Sequence, residues 1–143
     1  MNKIIVKPLL IGTSRNLYKK NLYVSVEVST FIHSFDRKDN YKSVNVVLLK
    51  LDYFARGGFS VDGSNIKYEW GGVYRIAIKG GKGDKREGRI IGFFDENNFI
   101  AVCSFYKNEQ KLRKDQKKII DKVSRIKRDE QWMYEIGGNY GSN

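Results

Sequence analysis

Apolar and polar residues alternate along parts of the chain in a pattern that predicts β-strands. In residues 22–28, Val24, Val26 and Val28 occupy every second position, which is the period of a strand with one buried face. Residues 73–79 alternate in the same way, and residues 89–94 follow as a second strand.

The continuous apolar run over 99–106 predicts a further strand that is buried on both faces. A glycine-rich, charged turn over 80–88 and an Asp-Glu-Asn-Asn turn at 95–98 separate these last three strands. We therefore expect an antiparallel meander that is joined by hairpins.

Apolar residues at helical spacing predict three helices. Ser29 or Thr30 can cap a short helix over 31–37, and a longer helix follows over 41–56. Near the end of the chain, the pattern predicts a helix over 108–130.

These elements together predict a small α+β fold. Its antiparallel sheet consists of the N-terminal strand and the three-stranded meander, packed against an N-terminal helical pair and a C-terminal helix. The expected organisation is an N-terminal extension over 1–21, one domain over 22–130 and a Gly/Asn-rich tail over 131–143.

Composition excludes several classes of protein. Apolar residues make up 41% of the chain and aromatic residues 13%, which is enough for a core and excludes a disordered polycation. With one cysteine (Cys103) and one histidine (His33), the chain has no intrachain disulfide and no zinc site built from these residue types alone. No run of 18 apolar residues occurs, and Lys7 and Pro8 interrupt the first apolar segment, so we expect no membrane span, no secretory signal and a cytoplasmic location.

The chain is strongly basic. Lys and Arg number 27 against 16 Asp and Glu, a formal net charge of +11, which predicts a polyanionic partner, either a nucleic acid or an acidic protein. The predicted last helix carries a basic stripe formed by Lys111, Lys114, Lys118, Lys122 and Arg125. This stripe is either a solvated helix face or a surface that binds an RNA backbone.

Candidate chemistry is confined to Arg, Lys and Tyr side chains, because the sequence has no nucleophile elbow, zinc-protease motif or phosphate-binding loop. RNA cleavage by attack of the 2′-hydroxyl suits this set, since the protein has only to align the backbone, neutralise the phosphorane and move two protons. Arg75 and Lys79 share one face of a predicted strand, and Arg89 begins its neighbour. The alternative is a solvated sheet face whose cations prevent edge pairing.

Five segments precede a basic helix: LLKL at 48–51, ARGG at 55–58, WGGVYRI at 70–76, GRIIGFF at 88–94 and FIAVCSFYK at 99–107. Their order resembles the RelE/ParE superfamily of toxins from type II toxin–antitoxin modules. The resemblance covers about residues 22–128 and implies a RelE-like fold.

The resemblance also implies a function. Members of the RelE branch cleave mRNA without a metal, usually on the ribosome, and an acidic antitoxin neutralises them. The resemblance therefore implies no cofactor and three partners: mRNA, the ribosome and an antitoxin.

The family's site residues carry over to positions of this chain as expectations. The resemblance assigns catalytic roles to Arg75, Arg89, Lys107 and Lys79, and substrate-binding roles to Tyr106, Lys111 and Arg113. The arginines would stabilise the phosphate, Lys107 or Lys79 would transfer protons, and Tyr106 would stack on a base. The chain departs from the family at Ala77, where several members have a second lysine.

Two alternatives remain open at this point. A ParE-like protein would poison DNA gyrase by binding it, without catalysis. A basic RNA- or DNA-binding module would bind without toxicity.

Overall fold

The computed structural model describes residues 3–9, 22–36, 66–79, 87–106 and 112–136. Within these ranges the chain forms seven strands and two helices. In chain order they are β1 (Ile4–Pro8), β2 (Leu22–Val24), α1 (Val26–Asp36), β3 (Ile66–Tyr68), β4 (Val73–Lys79), β5 (Glu87–Asp95), β6 (Asn98–Tyr106), α2 (Leu112–Arg128) and β7 (Trp132–Tyr134).

The seven described strands form one mixed sheet in the order β3-β4-β5-β6-β2-β1-β7. Strands β3 to β6 are antiparallel, β2 runs parallel to β6, β1 is antiparallel to β2, and β7 is parallel to β1. The prediction of a small antiparallel sheet against an N-terminal helical pair is therefore wrong. The cause is three short strands (β1, β3 and β7) whose apolar patterns are too brief to identify them and whose pairing depends on the tertiary fold.

The central meander lies where the sequence predicted it. Strand β4 spans the predicted residues, β5 and β6 begin close to their predicted starts, and both pairs are antiparallel. The tight turn between β5 and β6 holds Glu96 at a φ of 54°. A bulge shifts the register between Ile91 and Gly92, and a Cβ at Gly92 would overlap the carbonyl oxygen of Ile100. Glycine is therefore required where these backbones come close.

The first helix begins earlier than predicted. Strand β2 ends at Val24, and the Ser25 Oγ accepts a hydrogen bond from the Val28 N–H at 3.2 Å, so Ser25 is the N-cap rather than Ser29 or Thr30. Val26 is 71% exposed, whereas Val28 and Ile32 are buried. Valines at every second position predict a strand, but the i, i+4 spacing of Val28 and Ile32 is also typical of a helix. The predicted helix over 41–56 lies outside the described residues.

The two helices cover opposite faces of the sheet. Val28 and Ile32 of α1 pack with one cluster of sheet residues, among them Ile90 and Phe99. Helix α2 packs with a second cluster on the other face, which includes Ile91, the residue after Ile90. Successive strand residues point to opposite faces of a sheet. We call the face that carries Ile90 the α1 face and the face that carries Ile91 the α2 face.

Helix α2 matches the predicted C-terminal helix and spans Leu112–Arg128 among the described residues. Its buried residues are Ile120, Val123 and Ile126. The Trp70 Nε1–H donates to Asp121 Oδ1 at 2.9 Å, which fixes the turn before β4 against the helix. In the part of the chain that the structure describes, no helix is long and apolar enough to cross a membrane.

Strands from both predicted flanking segments add to the sheet. Strand β1 comes from the predicted extension and β7 from the predicted tail, and the two pair in parallel. The Tyr134 hydroxyl donates to Asp95 Oδ2 at 2.6 Å and accepts from Asn98 Nδ2 at 3.1 Å. These bonds connect β7 to the turn between β5 and β6.

Candidate functional site

Arg75 and Arg89 are diagonal neighbours on the α2 face. In the β4–β5 register, Arg75 lies opposite Ile91, and Ala77 lies opposite Arg89. Diagonal positions on an antiparallel pair are close enough for long side chains to interact. The structure thus brings together two of the predicted site residues.

Two carboxylates accompany the arginines. Arg75 Nε lies 3.0 Å from Glu69 Oε1, and Arg89 NH2 lies 2.8 Å from Glu87 Oε2. We refer to Glu69, Arg75, Glu87 and Arg89 as the Arg–Glu cluster. Its two charge signs balance, in contrast to the strongly basic chain as a whole.

Members of the Arg–Glu cluster differ in their access to solvent. The side chains are 7% exposed for Arg89, 11% for Glu69, 19% for Arg75 and 26% for Glu87. Glu87 and Arg75 are therefore the members that a ligand reaches most easily, whereas Arg89 lies beneath them.

The arginines influence each other electrostatically. Burial lowers the pKa of the Arg75 guanidinium from its ordinary value, and repulsion from Arg89 lowers it further. Attraction to Glu69 and Glu87 acts in the opposite direction. Arginine remains charged in proteins, so Arg75 is a permanent cation that feels the charges of all three other members.

Hydrogen bonding within the cluster is incomplete. Arg89 Nε is buried and has no hydrogen-bond partner among the described residues, and the same holds for Glu69 Oε1. The contact of Arg75 with Glu69 is therefore an ion pair that lacks the angular geometry of a hydrogen bond. Because unsatisfied buried polar groups destabilise a fold, such a cluster is a candidate for a functional role.

Of the other predicted site residues, Tyr106 has a described side chain, and it does not join the arginines. Tyr106 lies on the α1 face, where its ring centroid is 4.9 Å from that of Phe31. The backbone of Lys79 ends β4 opposite Glu87. For four predicted residues no side chain is described: Lys107 and Lys111 lie outside the described residues, and for Lys79 and Arg113 the structure describes the backbone alone.

Sequence reasoning missed Glu69, Glu87 and Phe105. Phe105 lies opposite Arg89 in the β5–β6 register, which places an aromatic residue beside Arg89 on the α2 face. Residues 80–88 were assigned to a turn, although the α2-face alternation of β5 already includes Glu87. Extending the period-2 pattern by one step would have identified Glu87; no comparable signal identifies Glu69.

The outer surface of α2 is strongly basic. The helix contains eight basic and two acidic residues. The exposed cations are Lys114, Lys117, Lys118, Lys122, Arg125, Lys127 and Arg128. Since α2 packs on the face that carries Arg75 and Arg89, a polyanion bound to the helix would lie on the same side of the sheet as the cluster.

A separate cleft of about 270 Å³ lies at the other end of the α2 face. Its lining combines an aromatic floor with charges of both signs and consists of Lys3, Phe93, Phe94, Asp95, Lys127, Glu130 and Trp132. No member of the Arg–Glu cluster contributes to it.

Metal ligands are not clustered in the described ranges, where no group of three or more His, Cys, Asp and Glu residues could hold an ion. His33 is exposed on α1, with its Nδ1 2.7 Å from the carbonyl oxygen of Ser29. Comparison with known proteins found no family model and no curated protein that matches this chain.

Proposed function

We propose that this protein is a toxin that cleaves mRNA as a metal-independent endoribonuclease and is neutralised by an acidic antitoxin. The observation that carries the proposal is the juxtaposition of Arg75 and Arg89 on the sheet face that also bears the basic helix α2. The order of sequence segments that resembles RelE-type toxins supports it independently.

Each component has a chemical task in this reaction. The Arg75 guanidinium matches two phosphate oxygens and offsets the charge that develops on the phosphorane. The exposed cations of α2 attract and hold the RNA backbone through sequence-independent, salt-dependent contacts. Phe105, on the arginine face, replaces Tyr106 as the aromatic residue that can stack on a base.

The test is an RNA cleavage assay with purified protein, on free RNA and on translating ribosomes, in the presence of EDTA. Wild type is expected to leave a 2′,3′-cyclic phosphate and a 5′-hydroxyl. Arg75→Ala is expected to lower the rate at least about 100-fold, the effect of removing one charge-stabilising donor.

Lys7→Ala is the matched control, because it removes one positive charge from β1, four strands away from β4 in the sheet. Its rate should stay within about twofold of wild type. If wild type cleaves neither free nor ribosome-bound RNA, the proposed function is wrong. If wild type cleaves and Arg75→Ala cleaves as fast, the role of Arg75 is wrong.

A non-enzymatic toxin that binds DNA gyrase is the second candidate. It is favoured by the ion pairs of Arg75 and Arg89 with carboxylates, because these partially neutralise the cations that a phosphate would need. Expression in cells separates the candidates: cut transcripts indicate the nuclease, DNA damage with filamentation indicates the gyrase poison, and normal growth indicates a non-toxic binding module.

A further inference from the structure

The proposed reaction needs a general base, and the structure offers a carboxylate. A base must be unprotonated at neutral pH, which is the ordinary state of glutamate, whereas lysine needs a strongly lowered pKa. Of the two glutamates in the Arg–Glu cluster, Glu87 is the more exposed, at 26% against 11% for Glu69. Glu87 is therefore the carboxylate that a bound RNA can reach.

Arg89 holds this carboxylate in place. Both residues project from the α2 face of β5, two positions apart, and the Arg89 NH2 donates to Glu87 Oε2 at 2.8 Å. Because the Arg89 side chain is only 7% exposed, it is poorly placed to contact a phosphate directly. Its position suits a role that acts through Glu87.

Charged groups from two strands surround Glu87. Arg89 lies on its own strand, Arg75 on β4 interacts with it electrostatically, and the backbone of Lys79 lies opposite it in the register. Glu69 is the other carboxylate of the cluster and pairs with Arg75. Arg75 is thus a second cation whose charge acts on Glu87, on the same face of the sheet.

We propose that Glu87 is the general base of the RNA cleavage reaction and that Arg89 is the residue that positions it, an inference that rests on the proposed function. The Glu87 carboxylate takes the proton of the 2′-hydroxyl as the 2′-oxygen forms a bond to phosphorus. The bond from phosphorus to the 5′-oxygen breaks, and solvent water protonates the departing oxygen. The products are a 2′,3′-cyclic phosphate and a 5′-hydroxyl.

Single-turnover cleavage rates as a function of pH test this assignment. Wild type should show a rate that rises tenfold per pH unit on the acidic side and then levels off as the base loses its proton. Glu87→Gln should be about 100-fold to 10,000-fold slower and should lack that rise. Glu69→Gln should retain the rise, and Glu96→Gln, an exposed change at the far end of the hairpin, should match wild type.

A substrate with sulfur in place of the departing 5′-oxygen distinguishes a base from an acid. Thiolates leave without protonation, so this substrate restores the rate of a variant that lacks its general acid. Glu87→Gln should remain as slow on this substrate as on ordinary RNA. Restoration to the wild-type rate would show that Glu87 is the acid and would overturn the proposal.

Arg89→Lys tests the positioning role, since it keeps the charge but loses the planar fork. Its kcat should fall at least about tenfold, with KM within twofold of wild type and an unchanged circular dichroism spectrum. A change confined to KM would contradict positioning and would indicate direct contact with RNA.

The outcomes separate this inference from the proposed function. If wild type does not cleave RNA, the proposed function itself fails. If wild type cleaves but its rate does not rise with pH on the acidic side, only the assignment of Glu87 fails. The same holds if Glu69→Gln rather than Glu87→Gln removes that rise. The wild-type profile can overturn the assignment even where a variant does not fold.

Discussion

The two faces of the sheet differ in how far their apolar packing extends. On the α1 face, apolar and aromatic residues continue to the end of β6, where Tyr106 packs on Phe31. On the α2 face, the apolar cluster includes Phe93 and Ile91. Toward the N-terminal end of β5, charged residues take its place, namely Arg89 and Glu87. The same strands thus build a continuous core on one side and a charged cluster beside a core on the other.

This difference locates the candidate site. Buried charge is costly unless it is paired, and a sheet needs no charge for stability when a helix covers it. The α1 face shows that this chain can complete an apolar face. The Arg–Glu cluster on the α2 face is therefore the candidate for the proposed site.

The largest expected effect comes from substitutions in the apolar parts of the two faces. Both parts should contribute equally to the free energy of unfolding. Phe99 on the α1 face and Phe93 on the α2 face are both fully buried. Phe99→Ala and Phe93→Ala should each lower the free energy of unfolding by about 3–5 kcal/mol, measured by urea denaturation. A loss below about 1 kcal/mol at Phe93 alone would mean that the α2 face is loosely packed.

The next largest effect measures how far water is excluded from the α2 face beside the Arg–Glu cluster. Burial raises the pKa of the Cys103 thiol to about 11 from an ordinary value of 9.0; Glu27 adds to the rise and Lys122 opposes it. As the pH rises, the Cys103 thiol therefore loses its proton in the unfolded chain before it does so in the folded chain. The contribution of the buried thiol to the free energy of unfolding is complete below pH 9 and decreases as the pH rises toward 11. The slope is about 1.4 kcal/mol per pH unit.

Urea denaturation at pH 8 and pH 10.5 measures this effect. Wild type should lose about 2 kcal/mol more than Cys103→Ala between the two pH values, and the comparison cancels the titration of other groups such as Tyr134. Equal losses in the two proteins would show that water reaches Cys103.

The smallest effect concerns the attachment of α1 to its face. The Ser25 Oγ caps α1 through the Val28 N–H and donates to the Val102 carbonyl oxygen at 2.9 Å, which ties the helix start to β6. Ser25→Ala should cost about 1–2 kcal/mol. Ser29→Ala is the control, because Ser29 was the predicted cap and does not fill that position. If Ser29→Ala costs as much as Ser25→Ala, the helix begins later than the structure shows.

Much of the candidate site depended on information that lies beyond local sequence. The alternation over 73–79 placed Arg75 on one strand face and predicted its proximity to Arg89 at the start of the next strand. The partner of Arg75 was not predictable, because Glu69 precedes the turn before β4 and lies outside the alternating segment. The partner of Arg89, Glu87, follows from extending the alternation of β5 by one step. Tyr106 was assigned to the site by its position in the chain, yet a one-residue step along a strand reverses the face, and Phe105 occupies the site face instead.

The sequence by itself determined the central meander, the C-terminal helix and the basic character of the chain, because alternation, turn residues and charge are local properties. Tertiary structure alone decided that β1 and β7 extend the sheet, that the strands are partly parallel, and that α1 begins at Val26. It also decided that two arginines of a basic protein lie against carboxylates. These features depend on which distant residues meet, and the free energy of those contacts outweighs the weak local preferences of short segments.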